Sequence, residues 1–393
     1  MQQGSREPAA LPGQAPEAPA ETQRDLNEPD ARNIRRSLED SAKQRAAAAR
    51  GLHDQTSVQR ARVACASDRE ALAAAHKSDI KSVKVLGEGA FGIVDLVRVT
   101  TSGAGQLLCV RKKLLKASET NNNDPAKEVE ALEAVRACPF ITQLWSCVVG
   151  LYDYTLLLEY CPYGTLEGLL REVSERRSGT GNACLDFLLV AVLRSERRAG
   201  LNEDEARFYV ACCLIALEDM HGRGYVHRDI KPSNCLLSES RYLLLSDLGL
   251  AKRLEGGARA HSTAGTPLYM APEIVHGNKT GYGFSADIWS VGIMLWEMVD
   301  GAVPKWAAVS WYWTKTLHCP DTFSPELKDL LCRLLEKSPR DRPTATAALG
   351  HRWFAPLDLQ ALRARTLPPP APAELAGLMI HTGPRGSGGD KHL

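Results

Sequence analysis

The chain has 393 residues, 44% of them apolar and 24% charged, and Lys plus Arg number 48 against 47 for Asp plus Glu. This composition can supply a sizeable core, and the net charge of +1 argues against a protein built mainly to coat nucleic acid or a membrane surface. The eleven cysteines lack the paired spacing of a disulfide scaffold or zinc site. The longest apolar run, residues 208–217, is about half a membrane span. We therefore expect a cytoplasmic protein without a membrane span, with access to the nucleus left open.

The first 77 residues differ in composition from the rest. Residues 1–30 contain five prolines and six acids against two bases, whereas residues 31–77 contain ten bases against five acids. The first stretch can bury little, and the second has helix-favouring alanines without a regular heptad. We predict a disordered to partly helical leader over residues 1–77. Its Arg35-Arg36-Ser37 is a candidate autoinhibitory or autophosphorylated segment, as is Arg197-Arg198-Ala199 later in the chain.

From about residue 80 the apolar pattern changes to that of a folded domain. Residues 83–86, 93–99 and 107–110 predict three short strands, residues 126–137 a helix, and residues 155–159 a buried strand. After residue 201 the apolar-periodic segments are mostly helical. Strands followed by helices predict a small sheet-based lobe and then a larger helical lobe.

A near-repeat interrupts this plan. The hexamer Ser-Glu-Arg-Arg-Ser-Gly at residues 174–179 recurs as Ser-Glu-Arg-Arg-Ala-Gly at residues 195–200, and the two copies flank an apolar stretch. Two copies do not make a solenoid, so we interpret residues 174–200 as an insertion. It is a surface excursion, an error in the gene prediction, or a docking helix that meets a partner or the rest of the chain.

A glycine-rich segment comes first among the motifs with chemical meaning. Residues 86–94 read Leu-Gly-Glu-Gly-Ala-Phe-Gly-Ile-Val, and a strand rather than a helix follows. That context favours a flap whose backbone amides cover nucleotide phosphates over a dinucleotide-binding turn. A hairpin with incidental glycines is the alternative interpretation.

The third predicted strand carries Cys-Val-Arg-Lys at residues 109–112, which resembles the Val-Ala-Ile-Lys strand of protein kinases. By that resemblance Lys112 holds phosphates and Val110 lies over the adenine. Lys112 needs a carboxylate partner, and the predicted helix offers Glu128, Glu130 and Glu133. We favour Glu128, because Leu132 and Val135, four and seven positions later, then form the inward apolar face of the helix.

Four polar residues fall within nineteen positions: Asp229, Lys231, Asn234 and Asp247. The apolar stretches between them predict a hairpin that brings Asn234 and Asp247 together. Carboxylate and amide oxygens suit Mg2+, which bridges ATP phosphates. Asp229 is placed to accept a hydroxyl proton, and Lys231 to neutralise charge on the transferring phosphoryl group.

With these motifs the chain is similar to eukaryotic protein kinases over residues 80–354, and within them to the AGC group, especially cyclic-nucleotide-dependent serine/threonine kinases. The likeness to that group is carried by residues 201–209, 247–253, 265–267 and 353–369. The resemblance implies an α+β, two-lobed kinase fold, with a small antiparallel-sheet lobe that has one main helix and a larger helical lobe. Residues 355–393 are then an AGC-like C-terminal extension and a disordered tail.

The resemblance also assigns roles to individual residues. It implies an ATP pocket formed by Leu86, Gly87, Glu88, Gly89, Ala90, Phe91, Gly92, Val94, Val110, Lys112, Leu158, Glu159, Cys161 and Leu236, with residues 159–161 as the adenine hinge. Ser262 is the implied regulatory phosphate acceptor, with Thr263 as runner-up, held by Arg228 and Lys252. Structural roles fall to Thr266, which contacts Asp229 and Lys231, to the pair Glu273 and Arg342, and to Asp287, which anchors the catalytic loop.

The sequence thus predicts an ATP- and Mg2+-dependent serine/threonine protein kinase. Lys231, two residues after Asp229, is the family's mark of serine/threonine specificity. A pseudokinase scaffold is the alternative, and it would require the loss of a key polar residue, whereas all of them are present. The expected partners are proteins with Ser or Thr acceptors and an upstream activating kinase, and we expect a monomer that binds no nucleic acid.

Overall fold

The computed structural model describes residues 61–89, 92–116, 124–178, 200–275, 281–304, 307 and 317–370. Within these ranges a small sheet-based lobe precedes a larger, mostly helical lobe, which confirms the predicted fold class. The strands are β1 (Arg62–Val63), β2 (Ile80–Gly89), β3 (Gly92–Thr101), β4 (Gly105–Leu115), β5 (Leu144–Val149), β6 (Asp153–Leu158), β7 (Tyr225–Val226), β8 (Cys235–Leu237), β9 (Leu243–Leu245) and β10 (Lys252–Arg253). The helices are α1 (Arg69–Ala73), α2 (Pro125–Ala134), α3 (Leu166–Ser178), α4 (Glu203–Gly222), α5 (Pro272–Val275), α6 (Ser285–Asp300), α7 (Pro325–Leu334), α8 (Ala345–Leu349) and α9 (Leu359–Arg363).

The main sheet has the strand order β2-β3-β4-β6-β5, with antiparallel neighbours, and β1 pairs in parallel with β4. Its register places Val94 of β3 opposite Lys112 of β4, so the lysine lies beside the glycine-rich hairpin. Gly92 has a φ of 134°, and a Cβ there would overlap the carbonyl oxygen of Lys113. A glycine is therefore required where the hairpin meets β4.

The elements differ from the predicted ones at their boundaries. The helix predicted over residues 126–137 begins at Pro125, because the side chain of Asp124 accepts a hydrogen bond from the Ala126 N–H, and it ends at Ala134. Strand β5 was not predicted, because its apolar residues do not alternate in the way that marks a strand.

The large lobe is organised around two long helices. Helix α4 is buried along most of its length and is preceded by the N-cap residue Asn202, which forms a capping box with Glu205. Helix α6 packs against α4 and α7. The hairpin of β8 and β9 pairs Cys235 with Leu245, so Asn234 and Asp247 lie at the same end of it, as predicted. In the part of the chain that the structure describes, no helix has the length and apolar character needed to cross a membrane.

The regions predicted outside the domain are described only in part. Of the predicted leader, residues 1–60 and with them the arginine pair at residues 35–36 lie outside the described residues, whereas residues 62–73 fold as β1, a short turn and α1. The predicted insertion is described only at residues 174–178, the end of α3, and at Gly200. In the C-terminal extension, residues 355–370 include α9, and residues 371–393 lie outside the described residues.

Candidate active site

The centre of the site is a lysine held by two carboxylates from different parts of the fold. Lys112 Nζ on β4 lies 2.7 Å from Glu128 Oε1 on α2 and 2.8 Å from Asp247 Oδ1, which follows β9. Burial opposes the charged form of Lys112, but the charges of Glu128 and Asp247 outweigh it and raise the pKa of the lysine. Burial likewise opposes the charge on Asp247, and Lys112 outweighs it, so the pKa of Asp247 is lowered.

The other two glutamates of α2 have other partners. Glu130 Oε1 accepts a hydrogen bond of 2.9 Å from the hydroxyl of Tyr225 on β7, which belongs to the large lobe. Glu133 Oε1 pairs with Arg69 of α1 at 2.8 Å. Helix α2 is thus attached on three sides, and the carboxylate that reaches Lys112 is that of Glu128.

The catalytic loop gathers polar side chains around Asp229, which is 8% exposed. The Thr266 hydroxyl donates to Asp229 Oδ1 at 2.7 Å, and Asn234 Nδ2 donates to Asp229 Oδ2 at 2.9 Å. Lys231 Nζ lies 2.8 Å from Asp229 Oδ2 and donates to Thr266 Oγ1 at 2.7 Å. These contacts fix the carboxylate of Asp229 in one orientation, with a positive charge beside it.

Asp287 of α6 holds the backbone of that loop. Its carboxylate accepts hydrogen bonds from the backbone N–H groups of His227 (2.9 Å) and Arg228 (2.8 Å), and lies 2.8 Å from His221 Nε2. Arg228 adopts a φ of 74°, which is uncommon for a residue with a side chain and is stabilised here by these bonds. Although burial alone would raise the pKa of Asp287, the hydrogen bond to His221 and the nearby N–H groups hold it below its usual value.

A cavity of about 360 Å³ lies between the lobes, a volume in the range of small-ligand sites. Most of the predicted ATP-binding residues line it: Gly87, Glu88, Gly92, Val94, Val110, Lys112, Leu158, Glu159 and Leu236, together with Glu128, Asn234 and Asp247. Leu86, which is 36% exposed, and Cys161, which is buried in the predicted hinge, are not among the lining residues. Ala90 and Phe91 lie outside the described residues.

Three residues of the cavity wall were not predicted from the sequence: Thr142, Ser233 and Ser246. Leu132, four positions after Glu128, was predicted to face inward and also lines the cavity. Ser233 and Ser246 directly precede the predicted residues Asn234 and Asp247, and that adjacency was a usable signal. Thr142 lies between α2 and β5 and its backbone N–H donates to Leu245 O at 2.9 Å. Nothing local in the sequence connects it to the cavity.

The predicted regulatory segment is organised by Arg228. Its Nη1 donates to Ser262 Oγ at 2.9 Å, and the Tyr282 hydroxyl donates to the Ser262 carbonyl at 2.8 Å. Thr263 is exposed, and Lys252 is exposed on β10 opposite Val226. The structure therefore brings Arg228 to the predicted acceptor Ser262.

The pair Glu273 and Arg342 lies deep in the large lobe. The guanidinium of Arg342 donates two hydrogen bonds of 2.7 Å to the carboxylate of Glu273. The Arg342 side chain is 0% exposed and that of Glu273 is 5% exposed. Arg342 also donates to Ser285 O at 2.9 Å and lies over the ring of Trp289. This pair connects the segment after Thr266 to the C-terminal part of the large lobe.

The donor set at the end of the cavity suits Mg2+. Among the described residues no group of three or more His, Cys, Asp or Glu side chains could hold a metal on its own. Asn234 and Asp247 line the same cavity and offer an amide and a carboxylate oxygen. Mg2+ commonly uses one or two carboxylates and completes its shell with water and substrate phosphates, so these two residues fit it.

Comparison with known proteins agrees with this geometry. The family model described as the protein kinase domain matches residues 80–354. The chain belongs to the protein kinase family. Its similar relatives include human cGMP-dependent protein kinase 2, at 29% identity over 77% of this chain. They also include 3-phosphoinositide-dependent protein kinase B of Dictyostelium discoideum, at 30% identity over 75%, and RAC-beta serine/threonine-protein kinase A of Xenopus laevis, at 29% over 75%.

These relatives place the kinase domain in the AGC group, as the sequence predicts. The relatives are longer than this kinase. The chain spans 38% of the human protein, 30% of the Dictyostelium protein and 57% of the Xenopus protein.

Proposed function

We propose that the chain is a serine/threonine protein kinase that transfers the γ-phosphoryl group of Mg2+-ATP to protein hydroxyls. One observation carries the proposal: Lys112 contacts Glu128 and Asp247 at once, inside a cavity that Asn234 also lines. A lysine so placed can bind nucleotide phosphates, and the nearby amide and carboxylate can hold the metal that accompanies them.

The residues of the loop supply the remaining chemistry. Asp229 would orient the acceptor hydroxyl and take its proton, because its carboxylate is fixed by Thr266 and Asn234. Lys231 would neutralise charge that develops on the transferring phosphoryl group. Mg2+, held by Asn234 and Asp247, would neutralise the ATP phosphates when bound.

Two observations support Ser and Thr hydroxyls as the acceptors: the position of Lys231 and the names of the relatives. The Xenopus relative is by its name a serine/threonine-protein kinase, and Lys231 stands beside Asp229 and Thr266 in this chain. No observation favours a scaffold without activity, because the polar residues that transfer requires are present and gathered in one site.

We also propose that an upstream kinase phosphorylates Ser262. The support is the 2.9 Å contact from Arg228, whose backbone belongs to the catalytic loop. A phosphate on Ser262 would gain charge-assisted hydrogen bonds to that guanidinium and so connect the regulatory segment to Asp229.

The test is peptide phosphorylation by the purified full-length protein with Mg2+-ATP and a Ser/Thr/Tyr peptide library. Asp247→Ala should lower the rate by at least about a hundredfold, since it removes a preorganised charged group. Asp321→Ala, at an exposed position, is the matched control and should retain the parent rate. The proposal fails if the parent protein phosphorylated on Ser262 transfers no phosphate, or if Asp247→Ala transfers it as fast as the parent.

A further inference from the structure

The end of the predicted leader is part of the small lobe. Strand β1 runs parallel to β4, with Arg62 opposite Leu107 and Val63 opposite Leu108, and the Ala64 N–H donates to the Leu108 carbonyl at 3.1 Å. On this side of β4, strand β6 begins to pair only at Val110. The segment therefore occupies the part of the β4 edge that β6 leaves free.

Apolar burial fixes this segment on the sheet. Leu72 of α1 is 1% exposed and packs in a cluster that includes Leu107 of β4 and Trp145 of β5. Val63 packs against a second cluster that contains Tyr160 of the hinge. One short segment thus contacts the strand that carries Lys112, the neighbouring β5 and the hinge.

The turn between β1 and α1 is held together by its own polar contacts. Arg62 donates to both carboxylate oxygens of Asp68, at 2.6 and 2.5 Å, and the backbone N–H of Cys65 donates to the same carboxylate at 2.9 Å. Asp68 is 3% exposed, and its hydrogen bonds with Arg62 hold its pKa well below the usual range. The segment therefore reaches the sheet as an ordered unit rather than as a loose chain.

The same segment also reaches helix α2. Arg69 Nη2 lies 2.8 Å from Glu133 Oε1, and the two side chains are 32% and 41% exposed. Glu133 is on the helix that carries Glu128, five residues earlier. Leu72 and Arg69 of one helix thus connect the sheet that presents Lys112 to the helix that presents its partner.

We propose that residues 61–75, called here the N-terminal brace, hold α2 in the position in which Glu128 meets Lys112. Arg69 is then a positioning residue that acts through Glu133. The inference rests on the proposed kinase activity.

The experiment measures kcat, KM for ATP and backbone hydrogen exchange in full-length variants. Arg69→Ala should lower kcat by about two- to fivefold, the scale for losing one partly exposed ion pair, with KM for ATP changed less. Arg69→Lys should restore most of the rate. Arg136→Ala is the matched control, because Arg136 pairs with the same Glu133 at 3.3 Å from the end of α2 and does not belong to the brace.

Hydrogen exchange separates this inference from the proposed function, because it needs no activity. Amides of α2 should exchange faster in Arg69→Ala than in the parent and in Arg136→Ala, and the thermal midpoint should shift by less than about two degrees. The double variant Arg69→Ala with Glu133→Gln should lower kcat little more than Arg69→Ala alone, because both substitutions remove the same ion pair. Leu72→Asp, which should release the whole brace, should lower kcat by at least about tenfold.

The outcomes are distinct. A parent protein that transfers no phosphate contradicts the proposed function, and faster exchange of α2 in Arg69→Ala still supports the brace. An active parent whose kcat and α2 exchange are unchanged by Arg69→Ala overturns the brace. Equal losses in Arg69→Ala and Arg136→Ala also overturn it, because Glu133 alone would then account for the effect. If Leu72→Asp does not fold, the comparison of Arg69→Ala with Arg136→Ala decides.

Discussion

The ion pair of Glu273 and Arg342 in the large lobe and the ion pairs around α2 differ in how far water reaches them. The Arg342 side chain is 0% and that of Glu273 5% exposed. Near α2, Lys112 and Glu128 are 12% and 5% exposed, but the Asp247 side chain that also meets Lys112 is 45% exposed, and those of Arg69 and Glu133 are 32% and 41% exposed. Breaking a buried pair leaves an unpaired buried charge, whereas exposed pairs open at little cost. The pair of Glu273 and Arg342 is therefore fixed, whereas the contacts that Asp247 and Arg69 make can open and close.

The largest effect expected from this comparison is on stability. Arg342→Leu leaves the carboxylate of Glu273 buried and unpaired, so the free energy of unfolding should fall by about 3–5 kcal/mol. Urea unfolding measures it. Arg333→Leu, at an exposed pair with Asp329, is the control and should change stability by less than about 1 kcal/mol. Similar losses in the two variants would contradict the distinction between buried and exposed pairs.

The second prediction concerns activity. Glu128→Gln should lower kcat by about a hundredfold, because Lys112 loses the partner that positions it. Its free energy of unfolding should fall by only about 1–3 kcal/mol, because the buried Lys112–Glu128 pair is lost but Asp247 still neutralises the lysine. Steady-state kinetics and urea unfolding on one preparation check both numbers, with Glu239→Gln at an exposed turn as control. A large loss of stability without a loss of kcat would contradict the role of Glu128 in positioning Lys112.

The third prediction is a pH dependence of the large lobe. Because the pKa of Asp287 is lowered in the folded state, its contribution to stability is complete above the unfolded carboxyl value of about 3.9 and is lost as pH falls through the folded value. Asp287→Asn should cost about 1–3 kcal/mol at pH 7 and progressively less below about pH 4. Urea unfolding from about pH 7 to pH 3 measures the difference, and parallel curves for parent and variant would contradict it.

The smallest expected effect tests the contact between the lobes. Tyr225→Phe removes the hydroxyl that donates to Glu130 at 2.9 Å. Burial of Tyr225 and, to a smaller extent, this hydrogen bond raise the pKa of its hydroxyl to about 12. Losing one such bond should cost about 1 kcal/mol, or roughly fivefold in kcat if it positions α2. Tyr152→Phe, at a side chain 81% exposed, is the control. Unchanged kcat in Tyr225→Phe would show that Glu130 does not help to position α2.

Much of the site could be predicted because its signals are local. The spacing from Asp229 to Asp247 predicts a hairpin, and β8 and β9 form one. The helical period favours Glu128 over Glu130 as the residue that faces Lys112, and the structure has that pair at 2.7 Å. These residues could be found because 3.6-residue and hairpin periodicities act over a few positions.

The N-terminal brace could not be predicted for the opposite reason. Strand β1 has two residues, and its partner edge on β4 is free only because β6 stops short of it. Arg69 and Glu133 are 64 positions apart in the sequence, and Glu130 and Tyr225 are 95 positions apart. Charge and alanine content predicted a disordered to partly helical leader, but whether an apolar residue such as Leu72 finds a site on the sheet depends on the tertiary fold.

The most direct test of the central claim isolates the chemical step. Asp229→Asn keeps the size of the side chain and can still accept one of the two hydrogen bonds that Thr266 and Asn234 donate, but it cannot take a proton. Titration with Mg2+-ATP and phosphopeptide mass spectrometry should show that the variant binds nucleotide as the parent does. Only the parent should place phosphate on Ser and Thr. Equal transfer by Asp229→Asn, or transfer confined to Tyr, would contradict the account.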